Sequence, residues 1–259
     1  MLPCLLIIHS LFLALTLLQS AKLTVYKGQV ESIIKYPFVV LLTSENGICT
    51  GSLVDDDLLS TAGHCMCSPT PMNRAHFMVE SRNKRIPGSY SIEIRSSFVD
   101  PAYHKSCEII RKNPKSPGGV EAGDICLARL KETAIRGYSP VTKVNLDFKE
   151  YVEVGTNVMA LGYGQDLSKG LSSSGVFRIG HLEVSKCLNV YPLDPICIIQ
   201  SDTNIQITGS GDSGGPLYDP ELKRIVGSVS GKISYSNGMV AILYTRFTSR
   251  ADFLRLFLS

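Results

Sequence analysis

The sequence predicts an all-β fold closed by one helix at its C-terminal end, and three observations predict it. Short apolar runs bounded by turn residues recur along the chain, as at Phe38 to Leu42, Val158 to Leu161 and Met239 to Leu243. Asn46-Gly47 and Asn237-Gly238 are hairpin pairs, because both residues tolerate the positive φ that a tight two-residue turn needs. Only Ser249 to Leu258 carries helical spacing, with Phe253, Leu254, Phe257 and Leu258 on one face. A chain of 259 residues can form such an all-β unit with an ample core and without a further domain. The net charge of +3 is too small to be an electrostatic footprint for nucleic acid or membrane. No internal repeat or low-complexity tract is visible.

At the N-terminus, Leu5 to Leu18 is an apolar stretch broken only by His9, Ser10 and Thr16, and Gln19-Ser20-Ala21 follows it. Length, position and the small residues at its end read as a secretory signal peptide over residues 1–21. A retained anchor is the weaker reading, because positive charge ahead of the stretch is limited to the chain's amino terminus. The expected location is therefore secreted and extracellular, where disulfides are reasonable. Cys4 would leave with the leader, and seven cysteines would remain. None has the C-x-x-C spacing of a zinc site, so neither a metal nor another cofactor is expected. No N-x-S/T sequon is present, so N-glycosylation is not expected.

Chemistry is concentrated in Gly211-Asp212-Ser213-Gly214-Gly215-Pro216. Small residues around one serine let a substrate carbonyl approach main-chain N–H groups, which an oxyanion requires. Taken alone, a Gly-Ser-Gly is more often a hairpin turn. A serine hydroxyl is a poor nucleophile near neutral pH, so it needs a base, and the base needs an orienting carboxylate. Among the histidines, His9 falls in the leader, while His76, His104 and His181 sit among polar or charged neighbours and read as surface residues. His64, in Ser60-Thr61-Ala62-Gly63-His64-Cys65, is crowded by small residues that would fix its ring. Asp124 opens the apolar strand Ile125-Cys126-Leu127-Ala128, where a carboxylate is expensive to bury without a partner. Asp55, Asp56 and Asp57 read instead as a solvated turn. The triad is therefore His64, Asp124 and Ser213. The same serine segment satisfies the G-x-S-x-G elbow of α/β-hydrolases, but that fold places its histidine after the serine, and none follows Ser213.

With that order, the chain resembles the chymotrypsin/trypsin-like serine proteases. Thr61 to Cys65, Asp124 to Leu127 and Gly211 to Pro216 carry the likeness. Tyr36-Pro37-Phe38-Val39-Val40, Cys49 to Val54, Leu161-Gly162-Tyr163-Gly164 and Tyr244-Thr245-Arg246-Phe247 fill the gaps. The resemblance implies two packed antiparallel six-stranded β-barrels with a C-terminal helix over residues 25–259, the active site lying between the barrels. It implies a serine endopeptidase in which Ser213 is the nucleophile, His64 the base and Asp124 its orienting group. The N–H groups of Gly211 and Ser213 would form the oxyanion hole. It further implies disulfides Cys49–Cys65 and Cys187–Cys197. Cys126, inside the apolar strand after Asp124, is expected as a buried free thiol, and Cys67 and Cys107 are left over and available to pair with each other. Partners would be protein or peptide substrates and serpin or other protease inhibitors, with a monomeric chain and no nucleic acid or membrane contact.

Departures from the family pattern mark where its properties stop. Gly209 stands where the family has a cysteine four residues before the nucleophile, and no cysteine follows Cys197. There is no Trp, so Ser230-Gly231-Lys232 replaces a Ser-Trp-Gly segment. Extra residues fall at His104 to Gly123, whose Lys105, Arg111, Lys112 and Lys115 read as a solvated loop bordering the cleft. By the resemblance, the base of the specificity pocket is Ile207 and its walls are Ser230, Lys232 and Ile242. An apolar base favours hydrophobic side chains over Lys or Arg, which would need a buried counter-charge. The activation pair would be a new N-terminus at Val25 with Asp212, after a propeptide of residues 22–24, although Thr24 rather than a basic residue precedes Val25. Those departures also leave a second class open, a catalytically weak or inactive homologue acting as a binding or regulatory module.

Overall fold

Alternating burial along short strands organises the chain into two sheets. The computed structural model describes residues 28–113, 122–165, 174–188, 194–200 and 209–258. In chain order the strands are β1 (Gln29–Val30), β2 (Val39–Thr43), β3 (Ile48–Asp55), β4 (Leu58–Thr61), β5 (Arg74–Ser81), β6 (Lys84–Val99), β7 (Cys126–Leu130), β8 (Asn145–Leu146), β9 (Asn157–Gly162), β10 (Arg178–Glu183), β11 (Ile196–Gln200), β12 (Pro216–Asp219), β13 (Arg224–Ser234) and β14 (Val240–Arg246). Strands β2-β3-β4-β7-β6-β5 close into a six-stranded barrel. The second expected barrel is an eight-stranded sheet that runs β1-β10-β9-β12-β13-β14-β11, with β8 pairing β13, and it stays open among the described residues. The architecture is chymotrypsin-like.

Both hairpin pairs lie at their expected turns. Asn46-Gly47 links β2 to β3, with the Ser44 N–H bonded to Gly47 O at 3.1 Å, and Asn237-Gly238 links β13 to β14. The acidic run forms the β3–β4 turn, and exposed or half-exposed ion pairs Lys143–Asp55 and Arg129–Asp57 hold it. Such pairs contribute about 0–1 kcal/mol each and act mainly to fix the turn. Inside the closed barrel Leu41, Leu42, Leu53, Leu59, Phe77 and Leu127 are buried. A second cluster, including Val158, Leu182, Ile198, Leu217, Ile242 and Tyr244, fills the other sheet.

Helices differ from the sequence expectation in two ways. The C-terminal helix is short, a 3-10 turn Thr248–Arg250 running into α-helix Ala251–Leu254, although Phe253 and Leu254 are buried as expected. The first part of the segment expected as a solvated loop forms a helix instead, His104–Lys112, while Lys115 lies outside the described residues. Its inner face is Ser106, Cys107 and Ile110, packed with Tyr103, Cys67 and Val99, while the basic residues Lys105, Arg111 and Lys112 stay outside. Only three residues of the helix bury, and one of them is a cysteine, so the apolar stripe is too thin to stand out from the charges around it. A further one-turn helix, Gly63–Cys67, carries His64. In chain order these three are α1 (Gly63–Cys67), α2 (His104–Lys112) and α3 (Ala251–Leu254).

Among the described residues, Cys49–Cys65 and Cys187–Cys197 form as the resemblance implied, and the two cysteines it left over form a third disulfide, Cys67–Cys107. Two of them hold α1 from both sides, to β3 and to α2. Cys126 is a buried free thiol, and burial pushes its pKa up to about 12, which keeps it protonated and inert.

Candidate active site

His64 and Asp124 meet because α1 and the start of β7 are held at one edge of the closed barrel. The His64 N–H donates to Asp124 Oδ1 at 2.9 Å, and ring Nδ1 bonds Asp124 Oδ2 at 2.8 Å. The backbone bond places the loop and the ring bond sets the imidazole plane, so one carboxylate fixes both. Asp124 is buried, and Thr245 Oγ1 donates to its main-chain carbonyl at 2.9 Å, tying it to the second sheet. The His64 side chain keeps 27% of its surface exposed against 2% for that of Asp124, so the pair opens outward through the histidine. Burial pulls the His64 pKa down, but the charge of Asp124 and the hydrogen bond to it outweigh burial and leave the pKa raised.

Ser230 supplies a third contact. Its Oγ donates to Asp124 Oδ2 at 2.7 Å. The register of β13 against β14 shifts between Val229 and Gly231, which makes Ser230 the extra residue of a bulge. A bulge re-aims one side chain, and here the re-aimed hydroxyl satisfies the buried carboxylate. Sequence reading placed Ser230 in the specificity pocket; its described partner is Asp124.

Ser213 reaches the same place through main-chain contacts. The Thr50 N–H donates to Ser213 O at 2.9 Å, and Sγ of the disulfide-bonded Cys65 lies 3.7 Å from that carbonyl. The Gly214 N–H donates to Val229 O at 2.8 Å, and the Val229 N–H to Gly215 O at 2.9 Å. The serine turn is thus clamped between β3 of the first barrel and β13 of the second sheet, beside the residue that follows His64. Gly214 has φ +78°, and a Cβ there would collide with Thr61 Oγ1, Ala62 N and Thr50 O, so only glycine fits. Ser213 is half-buried, and its described hydrogen bonds are those of its main chain.

Thr50 escaped the sequence reading. It is fully buried, and its Oγ1 donates to Gly211 O at 2.8 Å and accepts from the Tyr163 N–H at 3.1 Å. Thr61 Oγ1 in turn donates to Thr50 O at 2.8 Å. These hydroxyls carry the serine loop on the first barrel. The signal was available, since Cys49-Thr50-Gly51-Ser52 puts polar side chains inside an apolar strand, where each must find a partner.

Asp212 is buried behind the serine. Its carboxylate accepts the Gly164 N–H at 2.7 Å and the Gly209 N–H at 2.9 Å. Gly162 and Gly164 are required there, because a Cβ on either would strike the carboxylate. Burial raises the Asp212 pKa to about 6, against the two N–H bonds and the charge of Arg178, which lower it. Val25, its expected partner, lies outside the described residues, as do the leader, residues 22–24 and Ile207. Lys232 is exposed on β13 opposite Ile242 of β14, and Ile242 is buried among the second sheet's core residues.

One ligand-rich cluster needs no metal. Cys49, His64 and Cys65 bring their ligand atoms within 4.8 Å of one another, but the two sulfurs are bonded to each other and offer no thiolate.

Comparison with known proteins gives the family. A family model described as Trypsin matches residues 25–254. A cercarial protease of Schistosoma mansoni is 29% identical over 226 residues, covering 85% of this chain and 84% of that protein. A lectizyme of Glossina austeni is 31% identical over 211 residues, covering 75% of this chain and 71% of that one. Among solved structures, one of GrC covers 88% of this chain and 97% of its own at TM-score 0.68 and 21% identity. A mutant of human heparin binding protein covers 89% and 95% at TM-score 0.66 and 18% identity, a likeness of fold. By these matches and by its architecture, the chain belongs to the trypsin family of serine proteases.

Proposed function

We propose that the protein is a secreted serine endopeptidase acting through Ser213, His64 and Asp124. The observation that carries this reading is the double grip of Asp124 on His64, backbone and ring, at the edge where the Ser213 turn is clamped. With Nδ1 committed to Asp124, the other ring nitrogen, Nε2, is the base. Ser213 Oγ attacks the peptide carbonyl carbon and passes its proton to His64 Nε2. The N–H groups of Gly211 and Ser213 hold the oxyanion, an interaction worth about 3 kcal/mol per donor. The protonated His64 then gives its proton to the departing amine as the C–N bond breaks, leaving an acyl-enzyme on Ser213. Water, deprotonated by His64, releases the acid and restores the serine. Asp124 holds the tautomer and stabilises the imidazolium throughout, and Ser230 keeps Asp124 turned toward the ring.

Specificity is for hydrophobic residues such as Leu, Met, Phe or Tyr, since Ile207 at the pocket base brings no carboxylate for Lys or Arg. A peptide-library digest tests this: dominant cleavage after Lys or Arg would contradict it, and cleavage after Asp or Glu would assign Lys232 to the pocket. Activation is trimming to Val25, whose ammonium group pairs with Asp212. N-terminal sequencing of the active protein checks that assignment, and any other first residue refutes it. The leader at residues 1–21 directs export, and the three disulfides suit an oxidising compartment.

The second reading, a binding module with weak turnover, draws on Gly209 in place of a pocket cysteine and on the fold shared with human heparin binding protein. Fluorophosphonate labelling separates the two, because only an activated serine reacts stoichiometrically.

A further inference from the structure

A cavity of about 230 Å³ on the first barrel is lined by Leu41, Thr43, Ser44, His76, Val79, Arg82 and Arg85. Its floor is apolar, with Leu41 and Val79 buried, and its rim is made of hydrogen-bond donors. The strand β5 builds it through an irregularity. Met78 has φ +56°, and the register against β6 shifts between Phe77 and Val79. The left-handed residue interrupts the alternation of β5 between His76 and Val79, and both of these line the cavity. His76 Nε2 bonds Thr43 Oγ1 at 2.9 Å across β2 and β5, so the ring is fixed at the cavity wall.

The charge of this pocket is unbalanced. The acidic residues of the β5–β6 hairpin are occupied: Glu80 pairs with Lys84, and Glu93 with Arg74 and Lys131. Among the described residues, neither Arg82 nor Arg85 has an ion-pair partner. Both are exposed on the hairpin, while the Arg82 N–H is anchored to Gly175 O at 2.7 Å. His76 registers the result. Burial and then the charges of Arg85, Arg74 and Arg82 push its pKa down to about 4. Two forked cations, two hydroxyls and a fixed imidazole converge on a space large enough for a tetrahedral anion and its first hydration waters.

We propose that this cavity is an oxyanion-binding site, separate from the catalytic centre, that takes a sulfate or phosphate group through Arg82, Arg85, Thr43 and Ser44. The anion supplies the counter-charge that the hairpin lacks. Sulfate and phosphate esters share this recognition chemistry, and their relative affinities distinguish the sources.

The test is binding, independent of proteolysis. The full chain is titrated with sodium sulfate and, separately, sodium phosphate against sodium chloride at matched ionic strength, and the His76 ring signals are followed by NMR. Saturable shifts with sulfate or phosphate are expected, with chloride inert. Arg82→Gln with Arg85→Gln is expected to weaken binding at least about tenfold, two charge-assisted contacts being lost. Lys131→Gln, which removes an exposed charge and leaves Glu93 paired with Arg74, is expected to leave it unchanged. Unaltered His64 signals confirm that each variant is folded. Linear, unsaturated shifts, or equal weakening by Lys131→Gln, would overturn the proposal in favour of diffuse surface charge.

Discussion

Burial alone would strip the proton from an imidazole, yet His64 is held the other way by one carboxylate that contacts both its ring and its backbone. Asp124→Asn removes that charge and leaves burial as the dominant influence. The activity of the parent should therefore have its acid limb above the ordinary histidine value of 6.5, and the residual activity of Asp124→Asn should have its limb displaced to lower pH. A kcat/KM profile from pH 5 to 9 checks this, on the order of a 10³–10⁴-fold drop in rate accompanying the shift. Ser230→Ala leaves one lobe of a buried carboxylate without its donor. A loss of about 1–3 kcal/mol is expected, seen as a 10–100-fold drop in kcat with little change in KM. The proposed triad was legible in the sequence through the order of the His64, Asp124 and Ser213 motifs. The role of Ser230 was not, because a bulge is a property of pairing between β13 and β14 rather than of either strand alone. For the same reason His76 read as a surface residue: its polar neighbours are visible in the sequence, and the Met78 irregularity that turns it into a cavity is not.

Among the elements, α1 is one turn long and cannot hold its own position. Cys49–Cys65 and Cys67–Cys107 fix it to β3 and to α2. Because the second of these closes a loop of 40 residues, Cys67→Ser with Cys107→Ser should cost about 2–4 kcal/mol of unfolding free energy, measured by denaturant titration. The Asp100–Arg250 pair, with Arg250 Nε and Nη2 within 2.9 Å of the carboxylate oxygens, still ties the start of this insert to the C-terminal turn, so any loosening of the folded state is expected to centre on α2. Strands and hairpins were readable from apolar runs and Asn-Gly pairs. Helix α2 was hidden because its buried face is Ser106, Cys107 and Ile110, and the cysteine buries through a partner 40 residues away.

For the whole molecule, Asp212 links stability to pH. Its folded pKa of about 6 exceeds the ordinary value of 3.8, so the folded chain holds the proton more tightly than the unfolded chain. Stability of the uncleaved protein should then fall as pH rises from about 3.8 to about 6, by on the order of 3 kcal/mol. His64 adds a fall in the same direction but in a separate window, above 6.5. Asp212→Asn should flatten the lower window, as read from the slope of unfolding free energy against pH. Trimming to Val25 should reverse that slope, since a buried ammonium group favours the ionised carboxylate.

The central claim is that the clamped serine turn and the Asp124-held histidine form a working nucleophile. Fluorophosphonate titration of the secreted, N-terminally trimmed protein tests it most directly. The account predicts close to one equivalent of label on Ser213, lost in Ser213→Ala and strongly slowed in His64→Ala, with the circular dichroism of both variants unchanged. Absence of labelling in the folded, trimmed parent, or equal labelling of Ser213→Ala, would contradict it.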